Sequence, residues 1–353
     1  MYHPSHAQAL RGARRIGGLQ GVVNSRRRGL GTVAAGPRDG GRLPVLRAGD
    51  SLSMGVPAGP GNGRGVLFKA VSQRLRAAEA CNESLPMEVI GLCRFSYPAL
   101  GGFQRFHETP QARARYLYDP ERLEERFRLF QAITLPCLRA QTDQDFTFLV
   151  VIGDDFPQRK RLEALLAELP QAVIRAYPPG QHREVMAGAI TEIRQPGHRF
   201  SLQFRLDDDD GVGRRFVERL RATVHEARPI FERNRHAVID FNRGHVARLS
   251  HQGIRALPVH RSFWTPGLGM VLREDCKQTV MNFEHGKLWK IMPSINLPAG
   301  NMFIRGLNDH NDSSVHVDAP LPLLDSRQEA AFFEAYGVSA DQVRTVYRIQ
   351  PDR

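Results

Sequence analysis

Residues 146–152 read Phe-Thr-Phe-Leu-Val-Val-Ile, and this almost unbroken apolar stretch constrains the fold more than any other segment of the chain. A strand wetted on one face alternates apolar and polar residues, whereas a strand without alternation needs cover on both faces, as in parallel sheets flanked by helices. From Met87 onward strand-like and helix-like segments alternate, which is the order that builds such a sheet. Strands are expected at residues 89–95, 146–152, 172–177 and 200–206. A helix is expected to open at Asp119-Pro120-Glu121, with Asp as cap, Pro in the first turn and an acid at the positive end of the dipole. Leu123, Phe127, Phe130, Ile133 and Thr134 give it one buried face. Further helices are expected at 158–168, 183–194 and 211–225. The second half is more mixed: strands at 237–241 and 245–249 joined through a hairpin turn at Asn242-Arg243-Gly244, a strand at 267–272, a helix opening at Glu274-Asp275, and a last packing helix at 326–336. The expected class is a single α/β domain with a mainly parallel, partly mixed central sheet flanked by helices.

Charge separates the ends of the chain. Of the formal net charge of +12, residues 1–86 carry 13 Lys and Arg against 4 acids, together with 15 of the 32 Gly. This leader, with Arg26-Arg27-Arg28 and no sustained period, is expected to be disordered; residues 66–80 hold a short amphipathic pattern. Its arginines could meet nucleic acid or anionic lipid, and it resembles an organellar transit peptide. The favoured reading is a start assigned too far upstream, with Met87 immediately before the first strand and Met54 another start. The expected divisions are a leader over 1–86, a catalytic domain over 87–318 and a helical tail over 319–353. No window holds 18 consecutive apolar residues, and Cys81, Cys93, Cys137 and Cys276 form no Cys-x-x-Cys pair. The expectation is a soluble cytoplasmic protein with reduced thiols and no nucleic-acid partner.

The strand at 200–206 runs into Asp207-Asp208-Asp209-Asp210. Four adjacent carboxylates repel one another, so a fold that gathers them at a strand tip is expected to supply a compensating cation. If the strand continued, Asp207 and Asp209 would point one way and Asp208 the other, offering two carboxylates to one divalent metal. Open parallel sheets also bind ligands outside the carboxyl ends of their strands. A solvated acidic turn closed by Gly211 is the alternative.

An apolar strand ending in Asp-x-Asp, about 120 residues into an alternating domain, is similar to the arrangement in nucleotide-sugar glycosyltransferases of type A. Residues 90–311 resemble the bacterial putative rhamnosyltransferase family. The resemblance rests on Arg94-Phe95-Ser96, on Phe146-Thr147-Phe148-Leu149-Val150, on Arg205-Leu206 with the four aspartates, and on Asn308-Asp309-His310-Asn311-Asp312-Ser313. It implies a glycosyltransferase-A-like domain that moves a sugar, rhamnose by the family label, from a nucleoside-diphosphate donor to a glycan or other hydroxyl acceptor in polysaccharide biosynthesis. It also implies a divalent cation, Mn2+ or Mg2+, to offset the charge growing on the diphosphate, and it is compatible with peripheral membrane association.

Carried onto this chain, the resemblance makes Asp207 and Asp209 the metal and diphosphate pair. Asp208 turns toward the ribose or a structural hydrogen bond. Arg205 pairs with the aspartates or a phosphate, or forms only a structural salt bridge. Arg94 lies where base and diphosphate would sit, or is a surface arginine. His310 is the late metal ligand and His285 its competitor. An inverting transfer needs a carboxylate base, for which Asp275 and Glu284 are the candidates; a retaining one needs neither. Trp264 and Trp289 could stack on an acceptor sugar or pack in the core. Two rivals stand beside this reading. A two-metal phosphohydrolase or nuclease would recruit Asp154-Asp155, and a calcium module would need the loop pattern that this run lacks.

Overall fold

A computed structural model of the chain describes residues 85–101, 109–298, 300–308 and 320–348. Residues 1–84 of the leader, with its amphipathic pattern, and His310 lie outside the described residues. The first strand, β1 (Met87–Arg94), runs inside a seven-stranded sheet, third from one edge. Its neighbours are β2 (Thr147–Gly153), outside which lies β3 (Ala172–Tyr177), and β4 (Phe200–Arg205) on the other side, all four parallel. Beyond β4 the sheet turns mixed, because a strand further along the chain enters antiparallel and reverses one row of the ladder.

The apolar run that opened the sequence behaves as its composition demands. Phe148, Val150 and Ile152 enter the main core, while Leu149 and Val151 enter a second cluster on the opposite face. Helix α1 (Pro110–Leu117), which the sequence did not announce, precedes α2 (Pro120–Leu129). Asp119 caps α2 by accepting from the Arg122 amide at 3.1 Å. The helix then widens into a π turn at Phe130–Thr134 before α3 (Leu135–Arg139). The wide turn sits just ahead of Pro136, whose missing N–H and bulky ring disrupt ordinary helical spacing. Helices α4 (Arg159–Leu166) and α5 (His182–Ile193) provide the next two crossovers, and Met186, Ala189 and Ile190 of α5 cover the second face of β1 and β2.

After β4 the structure departs from the sequence expectations in several places. Residues 211–212 form a short strand, β5 (Gly211–Val212), and the helix starts later as α6 (Phe216–Glu226), followed by α7 (Arg228–Arg233). The strands β6 (His236–Phe241) and β7 (Arg243–Ser250) are not a hairpin, because Asn242 carries the chain from one sheet to another. β7 pairs antiparallel with β8 (Gly253–His260), which the sequence did not announce. β9 (Leu268–Arg273) is the antiparallel insertion between β4 and β6, and no helix opens at Glu274-Asp275. β10 (Ser294–Leu297) closes the main sheet, giving the order β3-β2-β1-β4-β9-β6-β10. β11 (Phe303–Gly306) joins β5, β7 and β8 in a four-stranded second sheet. Two tail helices, α8 (Ser326–Tyr336) and α9 (Ala340–Arg348), send Phe332, Tyr336 and Val343 into the main core.

The central sheet is therefore mainly parallel and partly mixed, with helices on both faces, as expected. Among the described residues no helix is long and apolar enough to cross a membrane. Cys93, Cys137 and Cys276 are buried free thiols.

Candidate active site

β4 keeps its pairing with β1 for one residue past its end, where the Leu206 amide donates to the Leu92 carbonyl at 2.9 Å. The chain then turns. The Asp210 amide donates to the Asp207 carbonyl at 3.1 Å, so the four aspartates form a turn and the strand alternation expected of them does not apply. The Asp207 side chain is 43% exposed, while Asp208, Asp209 and Asp210 are buried.

Buried carboxylates need partners, and two arginines that the sequence reading passed over supply them. Arg126 places Nη1 2.9 Å from both Asp208 Oδ1 and Asp209 Oδ2. Arg305 places Nη1 2.6 Å from Asp210 Oδ2 and 3.5 Å from Asp207 Oδ2. The Gly306 amide donates to Asp210 Oδ1 at 3.0 Å, Asn308 Nδ2 to Asp209 Oδ2 at 2.8 Å, and the Thr134 hydroxyl, from the π turn, to the Asp210 carbonyl at 2.8 Å. Arg126 had left a trace in the sequence as a charged residue on the Leu123, Phe127 and Phe130 stripe. Arg305 lies in the short apolar strand Phe303–Gly306 and carried no such signal.

Two guanidinium groups against four carboxylates leave a deficit of positive charge. Burial pushes the Asp208 carboxyl up to about 6, with Arg126 pulling it back and Asp209 adding to the rise. Burial likewise holds Asp210 well above the usual carboxylate range against the opposing Arg305 charge. Asp207 goes the other way: desolvation is outweighed by Arg305, Arg94, Arg205 and Arg126, and its carboxyl lies low. Asp207 thus presents an ionised carboxylate at the open side. Oxygens of Asp207, Asp209 and Asp210 lie within 4.8 Å of one another, a hard three-oxygen donor set suited to a divalent cation.

The open side is cationic. Arg205 pairs across the ladder with Leu92, so Arg94, two residues further along β1, lies on the same sheet face. His182, the first residue of α5, sits within the fields of Arg94 and Arg205; burial first and those charges second lower its imidazole to about 3, so it is neutral. Arg205 Nη2 lies 3.2 Å from His285 Nδ1 and 3.5 Å from Thr265 Oγ1. Below this group opens an apolar recess with Val238, Leu268 and Met270 in its lining.

The remaining sequence candidates scatter. Asp275 lies away from the acidic turn: β9 runs antiparallel to β4, Arg273 faces Phe200 at the start of that strand, and Asp275 follows it at the opposite edge of the sheet. There it is engaged by Arg273 at 2.7 Å. The six residues of β4 separate the two edges by about 20 Å. Glu284 is exposed beside His285 and bridges to Lys287 at 2.8 Å. Trp264 packs 5.9 Å from Phe303, and Trp289 is 57% exposed with Lys290 over its ring. Asp154 and Asp155 lie past the end of β2, where Asp155 accepts from the Tyr118 hydroxyl at 2.7 Å.

The molecule is thus an α/β domain whose mixed sheet carries an acidic turn and a cationic wall at the carboxyl ends of β4 and β1. Residues 88–319 match the family described as "Putative rhamnosyl transferase", and the chain belongs to that family. No curated protein matches the sequence. Among solved structures the chain is similar to S. aureus TarS 1-349 in complex with UDP-GlcNAc, at 10% identity over 65% of this chain and 62% of that one, with a TM-score of 0.36. It is similar to the UDP complex of the same protein at 9% identity, over 63% and 61%, with a TM-score of 0.36. A "putative nucleotide-diphospho-sugar transferase" from Desulfovibrio desulfuricans G20 aligns at 12% identity over 63% and 82%, with a TM-score of 0.29. The chain thus spans about three fifths of the TarS 1-349 structures it matches.

Proposed function

We propose that this protein is a metal-dependent glycosyltransferase that moves a sugar, rhamnose by its family label, from a nucleoside-diphosphate donor to a hydroxyl of a glycan or similar acceptor. The observation that carries the reading is the convergence of the Asp207, Asp209 and Asp210 oxygens beside Arg205 and Arg94 at one sheet edge. Asp207 and Asp209 would hold the cation, Mn2+ or Mg2+, with Asp210 as a third oxygen donor and Asp208 fixed by Arg126 as the support of the turn. When bound, such an ion offsets the charge that develops on a leaving diphosphate. Arg94 and Arg205 add fixed positive charge on the same side, where bidentate guanidinium contacts suit phosphate oxygens. The apolar recess beside Arg205 suits the methyl group by which a 6-deoxyhexose such as rhamnose differs from an ordinary hexose. We place the reaction in the cytoplasm, whose reducing conditions suit the free cysteines.

A thermal-shift matrix of Mn2+ against UDP, dTDP and GDP tests the reading. Stabilisation by metal and nucleotide together that exceeds either alone is expected, because ligands bound only to the native state raise its stability. Asp207→Asn, at the half-exposed position, should abolish that synergy while keeping the unliganded melting temperature. The absence of any nucleotide effect in the wild type would overturn the reading.

A further inference from the structure

Asp275 lies at the opposite edge and Glu284 is engaged by Lys287, while the edge that carries Asp207 also holds a buried carboxylate, Asp240, with an unpartnered oxygen among the described residues. Asp240 is the penultimate residue of β6, whose course is parallel to β4 because β9 runs antiparallel to both. Asp240 faces Leu268 across one ladder, and Phe204 faces Gly269 across the next, so Arg205 falls beside Leu268 in the same row. Two interstrand spacings put Asp240 about 10 Å from Arg205, room for one sugar ring between them. Val238, two residues earlier on the same face of β6, lines the recess beside Arg205, so Asp240 belongs to that face too.

The surroundings of Asp240 hold one oxygen and leave the other. The residue is fully buried, Oδ1 accepts from the Phe263 amide at 3.1 Å, the Ser262 side chain also lies against the carboxyl, and Oδ2 has no partner of hydrogen-bond geometry among the described residues. The neighbouring Asn242 Oδ1 is likewise buried and unpartnered. A buried acceptor without a donor is costly, and natural folds keep one where a ligand supplies the donor. Within residues 261–267, Ser262 and Phe263 lie against the Asp240 carboxyl, and Phe263 adopts φ +59°, a left-handed conformation that is strained for a bulky side chain. The same segment carries Thr265, which touches Arg205 of the candidate donor site.

We infer that Asp240 is the catalytic base of the transfer: when residues 261–267 lift, its Oδ2 accepts the hydrogen bond of the acceptor hydroxyl. This rests on the glycosyltransferase reading above. The acceptor O–H proton passes to Asp240 Oδ2 as the acceptor oxygen bonds to the anomeric carbon. The bond from that carbon to the phosphate oxygen breaks, and its electron pair leaves with the nucleoside diphosphate, inverting the anomeric centre. The carboxyl is suited to the task. Burial raises it to about 6, against hydrogen bonds from the Phe263 amide and Ser262, and its neighbours on this face are Asn242, Leu268 and, a strand further, Arg205.

The test uses the full chain with Mn2+ and a panel of UDP-, dTDP- and GDP-sugars, with water and simple glycosides as acceptors, and follows released nucleoside diphosphate. Asp240→Asn should lower turnover by about 100-fold or more, with nucleotide affinity and melting temperature retained and the acidic limb of the pH–rate profile near 6 lost. Added formate should restore part of the turnover of Asp240→Ala, which a merely structural role would not allow. Turnover of Asp240→Asn within about threefold of wild type, or a loss matched by lost nucleotide binding, would overturn the assignment. If the wild type binds manganese and nucleotide yet releases no diphosphate from any sugar nucleotide, the transferase reading fails and this assignment falls with it.

Discussion

Arg305 meets Asp210 at 2.6 Å with the aspartate carboxyl completely buried, so one guanidinium from the second sheet neutralises the deepest acid of the turn that ends β4. The contact ties the two sheets together at the candidate active site. It also explains how the chain tolerates a fourth acid that has no face of its own.

Removing one partner of such a pair leaves an uncompensated buried charge. Arg305→Met should therefore cost about 3–5 kcal/mol. Urea denaturation measures the loss, and adding Asp210→Asn to the same protein should recover part of it, because the stranded charge is then gone.

Gly306 is fixed by contact rather than by backbone angle. A Cβ there would lie 2.0 Å from the Asp209 carbonyl oxygen, so the acidic turn and β11 could not keep their spacing. Gly306→Ala should destabilise by about 1–3 kcal/mol and weaken manganese binding, because relieving the clash moves Asp209. Calorimetry of unfolding and of metal binding reads both effects.

Arg205 touches Thr265 and His285 through one Nη atom, which orients its planar fork at the mouth of the recess. Arg205→Lys keeps the charge but loses the fork. Affinity for a nucleoside diphosphate should fall about tenfold, or about 1.4 kcal/mol, in titration calorimetry. The unfolding midpoint should change little.

Stability should depend on pH through Asp240. Its carboxyl lies at about 6 in the fold against an ordinary 3.8, so the native state binds that proton more tightly. The sign follows: the contribution is fully present below about pH 4 and is lost as pH rises through 6, with a span of roughly 2–3 kcal/mol. Acids held low, such as Asp207 and Glu124, run the opposite way, so the difference between wild type and Asp240→Asn isolates the effect. Unfolding free energies between pH 4.5 and 7 should show a shallower fall in the variant.

The main features of the fold were legible because they rest on local chemistry. The apolar run at 146–152 demanded cover on two faces, and Asp119-Pro120-Glu121 announced a helix start through capping and dipole. The antiparallel entry of β9 was not legible, because the direction in which a strand joins a sheet depends on partners far away in the chain. That one reversal carried Asp275 to the edge where β4 starts, and because β9 is antiparallel to β6 as well, it set Asp240 beside the end of β4.

The sequence by itself determined that four acids would follow a buried strand and that they would need positive charge, since both follow from composition and periodicity. Only the tertiary structure decided which charges answer them. Arg126 comes from a helix 82 residues before Asp208, and Arg305 from a strand 95 residues after Asp210. The physical reason is that pairing energy depends on distance and burial in space, and neither quantity is written in the spacing of residues along a chain.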